Sequence, residues 1–228
     1  GMGDQKAMNV NGIVAKTEKI SGNISTTGTL LSDEEIEVKS EVAGRITQIL
    51  FKEGQYINKG QLMVKLNDDD LQAEMQKLKI EIKLAEDKES RQKQLLAASA
   101  VSKDDYEVIL TNLQLLKANA EILKTKIEKT RIVAPFSGTV GLKEVSPGAF
   151  INNGTIITTL QSIKPLKMEF SLPEKYSPYV QNNSEVDFKV TQSDETFKAK
   201  VYARDPKIDL NTRTVKVRAL YPNASGKL

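Results

Sequence analysis

Across 228 residues the chain sets 33 Lys and Arg against 30 Asp and Glu, a formal net charge of +3 that is too balanced to point to nucleic acid; 39% of the side chains are hydrophobic and 28% charged, as in a soluble globular protein. It contains neither His nor Cys, so the usual general base, the thiolate nucleophile, His/Cys zinc sites and disulfides are all excluded, and only Ser, Lys, Tyr and carboxylates remain for catalysis. No run of eighteen apolar residues occurs, so no membrane-spanning helix is expected.

From the N-terminus, Gly1-Met2-Gly3 reads as the remnant of an expression tag, and Thr27 to Lys39 alternates as a strand. The next segment is the first copy of a repeat. Gly44 to Leu66 overlays Gly138 to Leu160 at a constant offset of 94, with identities at Gly44/Gly138, Gly54/Gly148, Ile57/Ile151, Asn58/Asn152, Gly60/Gly154 and Leu66/Leu160. Ile46/Val140, Tyr56/Phe150 and Leu62/Ile156 keep apolar character on the same offset. The six glycines are expected at structural turns, with Asn58-Lys59-Gly60 and Asn152-Asn153-Gly154 suited to positive φ. Units of about 25 residues bury too little apolar surface to fold alone, so the two copies are expected to pack face to face.

Between the copies the period changes. Leu71, Met75, Leu78, Ile82 and Ala85 step by 4-3-4-3, a ladder that continues through Glu89 and Gln92 to Leu96; Tyr106, Ile109, Leu113, Leu116, Ala120, Leu123 and Ile127 form a second. These are heptad seams of two antiparallel helices, each about 28 residues and roughly 42 Å long, and no Gly or Pro interrupts Asn67 to Arg131. Asn67-Asp68-Asp69-Asp70 supplies side-chain acceptors and negative charge to the start of the first helix. Ala97 to Val101 forms the break, and Ser102 with Asp105 resembles a capping box opening the second helix.

Beyond Leu160, alternating segments at Lys167–Leu172, Ser184–Val190, Phe197–Val201 and Thr214–Leu220, separated by Pro173, Asn182-Asn183, Asp205-Pro206 and Asn211, indicate a small antiparallel barrel. The fold class is therefore α+β, elongated and multidomain. A split β-sandwich carries an inserted helical hairpin and is followed by the barrel.

The halves "EVAGRITQILFKEGQYINKGQLMVKL" and "APFSGTVGLKEVSPGAFINNGTIITTL" flanking a hairpin resemble the biotinyl/lipoyl-like domain of periplasmic adaptors, or membrane fusion proteins. "FSLPEKYSPYVQNNSEVDFKV" and "DPKIDLNTRTVKVRALYPN" resemble barrel segments of adaptors serving resistance-nodulation-division (RND) efflux pumps. The resemblance implies four parts: residues 1–21 as tag and partial membrane-proximal strand (Val10 to Ser21), 22–39 with 162–228 as barrel, 40–66 with 132–161 as lipoyl-like domain, and 67–131 as hairpin. It also implies a further barrel strand and a membrane-proximal domain past residue 228. By the same resemblance the protein is a non-catalytic, cofactor-free periplasmic component anchored to the inner membrane. Its partners would be an inner-membrane transporter, a TolC-type outer-membrane channel and further copies of itself in a ring, trimeric or hexameric.

Adaptors that engage TolC-type channels resemble one another in Arg, Leu four residues on and Ser seven further, here Arg91, Leu95 and Ser102. On that resemblance the three are the candidate channel-binding residues, although a solvated Arg, a core Leu and an N-cap Ser read equally from the pattern alone. An adaptor of an ATP-driven exporter or of a metal-efflux system remains an alternative. A biotin or lipoate carrier is a more remote one, because Asp70 stands where its modified lysine would be and Lys65 falls within a strand.

Overall fold

The computed structural model describes residues 24–191, 193–226 and 228, so the strand expected within Val10–Ser21 lies outside the described residues. Its elements are β1 (Gly28–Lys39), β2 (Gly44–Ile49), β3 (Tyr56–Ile57), β4 (Leu62–Leu66), α1 (Asp69–Ala97), α2 (Lys103–Lys129), β5 (Arg131–Val133), β6 (Gly138–Val140), β7 (Phe150–Ile151), β8 (Ile156–Pro173), a 3-10 turn (Glu174–Tyr179), β9 (Glu185–Phe188), β10 (Phe197–Asp209) and β11 (Thr214–Tyr221).

The two repeat copies complete each other by exchanging strands. Gly44 and Arg45 of β2 pair with Ile151 and Phe150 of β7, while Gly138 and Thr139 of β6 pair with Ile57 and Tyr56 of β3. Each pairing is the other displaced by the repeat offset, so the sandwich has an internal pseudo-two-fold. The turn bonds obey it too. Gly148 N–H donates to Ile46 C=O at 2.8 Å and Gly54 N–H to Val140 C=O at 2.9 Å; Gly154 N–H reaches Ser40 C=O and Gly60 N–H reaches Ala134 C=O at 2.8 and 2.7 Å. Between the sheets lies one core, in which Ile46 and Val140, Ile57 and Ile151, and Leu66 and Leu160 are equivalent pairs, all at most 4% exposed.

The glycines divide into two groups. Gly54, Gly60, Gly148 and Gly154 occupy turns at φ between 73° and 85°, where a side chain would strain the backbone. Gly44 and Gly138 instead open β2 and β6. A Cβ on Gly138 would come within 2.4 Å of the Gln161 carbonyl oxygen in β8, so this glycine permits close strand approach.

The hairpin is nested at a point where the sheet is already closed. Leu66 ends β4, Arg131 opens its antiparallel neighbour β5, and Leu66 N–H donates to Thr130 C=O at 2.9 Å. Asn67 N–H donates to Arg45 C=O at 2.8 Å, and Lys129 pairs with Glu41 at 3.3 Å, so both feet of the hairpin are tied to the sandwich. Helices of 29 and 27 residues then project roughly 40 Å. Every apolar position of the two heptad ladders is buried or half-buried, with Ala85, Leu113 and Leu123 fully enclosed. At the start of α1, Asp69 and Asp70 bring the expected negative charge to the first turn, but the expected side-chain cap is not made. Asp68 makes no capping hydrogen bond; its buried carboxylate accepts from Gln72 Nε2 at 2.9 Å and pairs with Lys65 at 3.4 Å, drawn sideways toward β4. Burial opposes its ionisation, yet the bonds from Gln72 and Lys65 outweigh it and hold the carboxyl below its usual range.

β1 and β8 run through both β-bodies. Lys39 to Glu34 of β1 pair with Ile156 to Ser162, whereas Ser32 to Gly28 pair with Leu166 to Phe170. What reads as two strands on either side of Pro165 is one element of 18 residues, because Pro165 falls in the register shift between Glu34/Ser162 and Ser32/Leu166, where no ladder N–H is required. Lys167 spans this shift, its ammonium paired with Asp33 Oδ1 at 3.0 Å and bonded to the Asp33 carbonyl. Fully buried Asn223 donates to Ile163 C=O at 2.9 Å on the same bulge.

Strands β1, β8, β11, β10 and β9 belong to a seven-stranded sheet that also takes in β6 and β3, and beyond the bulge they curl as a half-barrel over Met168, Phe170, Leu172, Ala199, Val201, Val217 and Ala219. Here too a proline is absorbed by a bulge: Asp205-Pro206, expected to be a turn, lies inside β10 between the Arg204/Val217 and Ile208/Val215 pairs. The reversal comes later, where Asp209 Oδ1 accepts from the Asn211 and Thr212 amides at 2.9 and 3.2 Å.

Two outcomes follow for stability. Gly138→Ala should lower it by about 2–3 kcal/mol in urea denaturation through overpacking, against about 1–2 kcal/mol for Gly148→Ala, where only φ is at issue; equal losses would remove close approach as the cause. Replacing residues 67–130 by an Asn-Gly turn should leave a cooperatively unfolding β-protein by far-UV circular dichroism, and an unfolded product would mean that the sandwich needs its hairpin.

Candidate functional site

The end of the hairpin is built by two caps. α1 closes with Ala100 N–H donating to Leu95 C=O at 2.8 Å and Ser99 N–H to Leu96 C=O at 2.9 Å, a Schellman motif. Ser99 occupies the left-handed position, φ 57°, that glycine usually fills. α2 opens at Ser102, whose Oγ accepts from the Asp105 amide at 3.0 Å and donates to the Asp105 carboxylate at 2.7 Å. Asp105 therefore answers the hydroxyl, and the second bond of a full capping box, to the Ser102 amide, is not formed. Asp104 and Asp105 in the first turn of α2 complement the helix dipole.

These caps set the chemistry of the tip. From Gln94 to Ser102 no residue is charged, and Ala97, Ala98, Ser99 and Ala100 are all exposed. Leu95 is 44% exposed; Leu96, its neighbour, turns into the seam. Arg91, one turn below Leu95, is exposed and forms no ion pair with any described residue. The surface is neutral and weakly apolar, made of small side chains on a rigid support, with one free guanidinium on its flank. It can dock on another protein, and it holds no catalytic constellation. Among the described residues no group of three or more acidic, His or Cys side chains is placed to hold a metal.

The sequence pattern named Arg91, Leu95 and Ser102, and the structure places all three at or within about two turns of the tip, with Ser102 as the helix cap. It did not name Ser99 and Ala100. A serine at the left-handed position carries no sequence signal, since glycine is the residue that announces such a cap. Lys65, the lysine weighed for a carrier, lies half-buried in β4 and is committed to Asp68.

Behind the tip two polar bonds cross the seam. The Tyr106 hydroxyl donates to Glu89 Oε1 at 2.7 Å, and Lys117 pairs with Glu86 at 2.9 Å. The first bond pushes the Tyr106 phenol above its ordinary range; the second holds the Glu86 carboxyl below its own. Both tie α1 to α2 across the seam.

Comparison with known proteins matches residues 34–161 to the family profile "RND MFP, barrel-sandwich hybrid domain" and residues 167–228 to "CusB-like, beta-barrel domain". The chain is 28% identical to multidrug resistance protein MdtA of Xenorhabdus bovienii over 94% of its own length and 57% of the relative's. It is 26% identical to multidrug resistance protein MexA of Pseudomonas aeruginosa over 84% of its length and 54% of the relative's. It thus spans a little over half of these curated relatives. Among solved structures, a MacA-MexA chimera bearing the P. aeruginosa MexA α-hairpin superposes with TM-score 0.76 at 23% identity, covering 89% of this chain and 75% of that one. The membrane fusion protein Spr0693 of Streptococcus pneumoniae gives TM-score 0.64 at 18% identity, covering 88% and 94%. At these identities the structural likeness speaks for the fold.

The Tyr106–Glu89 bond has a pH signature. A phenol whose folded pKa is raised contributes stability that is fully present below the unfolded value of about 10 and is lost as pH rises through the folded one. Between pH 8 and pH 11, stability measured by urea denaturation should fall further in the parent chain than in Tyr106→Phe; identical falls would show that the bond does not contribute.

Proposed function

The chain belongs to the RND membrane fusion protein family, and from that membership we propose that it is a periplasmic, inner-membrane-anchored adaptor, joining an RND efflux transporter to a TolC-type outer-membrane channel as one member of a ring. In this reading the hairpin is residues 67–131, the lipoyl-like body is 40–66 with 132–161, and the barrel is 22–39 with 162–228. The hairpin tip meets the channel, and the half-barrel end faces the transporter. Export is driven elsewhere in the assembly, in keeping with a family of non-catalytic adaptors and a chain without histidine.

The observation that carries the reading is the tip itself. An uncharged, small-residue surface at the end of a clamped helical pair is made to be covered by protein, since neither helix stability nor solubility asks for it. Its area is small, so each contact is weak. Several copies held in a ring raise the effective concentration at the channel and make weak contacts sufficient. Arg91 would hydrogen-bond acceptors on the channel, Leu95 would fill an apolar notch, and Ser102 would keep the start of α2 in place.

The test separates docking from folding. Leu95→Asp in the full-length protein should reduce efflux-dependent drug resistance to that of a strain lacking the adaptor, with its amount and thermal stability unchanged, because Leu95 lies outside the seam. Ser102→Ala, which removes the cap, should cost about 1 kcal/mol of stability, and Ser102→Asp should restore it. Normal resistance in the Leu95→Asp strain would remove the tip from the channel interface.

A further inference from the structure

The two heptad ladders change character along their length. Every ladder position from Leu71 to Ala85 on α1 and from Leu113 to Ile127 on α2 is apolar. Beyond Ala85 and Leu113, over about the last three turns of each helix, the positions are Glu89, Gln92 and Leu96 on α1 and Tyr106 and Ile109 on α2. Ala85 and Leu113 are also the last fully enclosed side chains before the tip; the five beyond them are all half-buried.

Polar side chains at a heptad seam forgo apolar burial, and here a hydrogen bond stands in its place, from the Tyr106 hydroxyl to Glu89 Oε1 at 2.7 Å. At the foot of the same segment Lys117 and Glu86 pair at 2.9 Å, but both side chains are about half exposed, so this pair holds the helices only weakly. The outer end has no free terminus to fray, because the Ser99 and Ala100 amides close α1 and Ser102 caps α2. The distal turns are therefore bounded on both sides, by the caps above and by the enclosed seam below. What holds them across the seam is one directional bond and two half-buried apolar side chains, Leu96 and Ile109. A segment bounded in this way opens as a unit rather than residue by residue.

We propose that the Tyr106–Glu89 bond is a latch, and that the turns beyond Ala85 and Leu113 open together while the seam below them stays shut. The closed hairpin is the resting state, and the support remains stiff up to Ala85 and Leu113 in both. Opening uncovers Leu96 and Ile109 beside the exposed Leu95, enlarging an apolar surface that is small in the closed tip. A protein that binds these uncovered side chains holds the unit open, since it binds the open state better than the closed one. That consequence rests on the docking role proposed above; the latch rests on the hairpin alone.

Native-state hydrogen exchange of the chain, read by mass spectrometry, tests the latch. Amides from Glu89 to Ala97 and from Tyr106 to Asn112 should share one opening constant, about 100-fold larger than that of residues 75–82 and 116–123. Tyr106→Phe should raise exchange in the distal set about tenfold and leave the proximal set unchanged. Glu89→Leu combined with Tyr106→Leu, which makes the seam apolar to its end, should slow the distal set below the parent's. Protection that declines gradually toward the tip, or a Tyr106→Phe effect spread over the whole hairpin, would overturn the latch and leave the docking role standing, because Leu95→Asp reads that role separately. In the full-length protein the doubly leucine-substituted chain should lower drug resistance although its hairpin is more stable; undiminished resistance would overturn the link between opening and docking.

Discussion

Everything else in the molecule hangs on the mutual completion of two short β-copies. Neither copy is complete alone: beyond the β2–β4 and β6–β8 pairs inside each copy, β3 finds its hydrogen-bond partner in β6, and β7 finds its partner in β2, each from the other copy. The core between them is closed by side chains equivalent across the pseudo-two-fold. Because this closure brings β4 beside β5, the ends of the intervening segment are held a strand apart whatever its length. A long hairpin can therefore be inserted without disturbing the body that carries it.

That clamp converts a local sequence property into a mechanical one. Two helices of nearly thirty residues draw most of their stability from packing their apolar faces, and here their feet are bonded to the sandwich and their seam is filled along its length. The distant end is closed by paired caps rather than by charge. The result is a stiff support presenting a neutral tip at one end. Surfaces that contribute nothing to the fold of one chain are where contacts with other chains are expected.

The junction with the half-barrel follows a different logic. β1 and β8 are shared by both β-bodies, so the two are joined by continuous backbone ladders rather than by a linker. The bulge at Ile163–Pro165 lets the strands change direction, and Lys167, Asp33 and Asn223 hold it in one geometry. The same device recurs at Pro206 in β10. In both cases proline marks a place where the ladder skips, and sequence reading takes such a place for a break.

Periodicity and the repeat determined the main architecture, since the spacing of apolar residues responds directly to burial. The heptad ladders became the seam position by position, and equivalent residues of the two copies became equivalent core positions. Arg91, Leu95 and Ser102 were singled out by their resemblance to a pattern shared by channel-binding adaptors, and of the three only Arg91 and Leu95 stand on one helix. What the sequence left open depends on neighbours distant in the chain. Gly138 is required by the approach of β8, Asp68 is drawn from its cap by Lys65 and Gln72, Ser99 takes a left-handed conformation that its residue type does not announce, and Pro165 and Pro206 continue strands they would otherwise end. In each case the deciding term is a contact made across the fold, and only the tertiary structure says which contact is made.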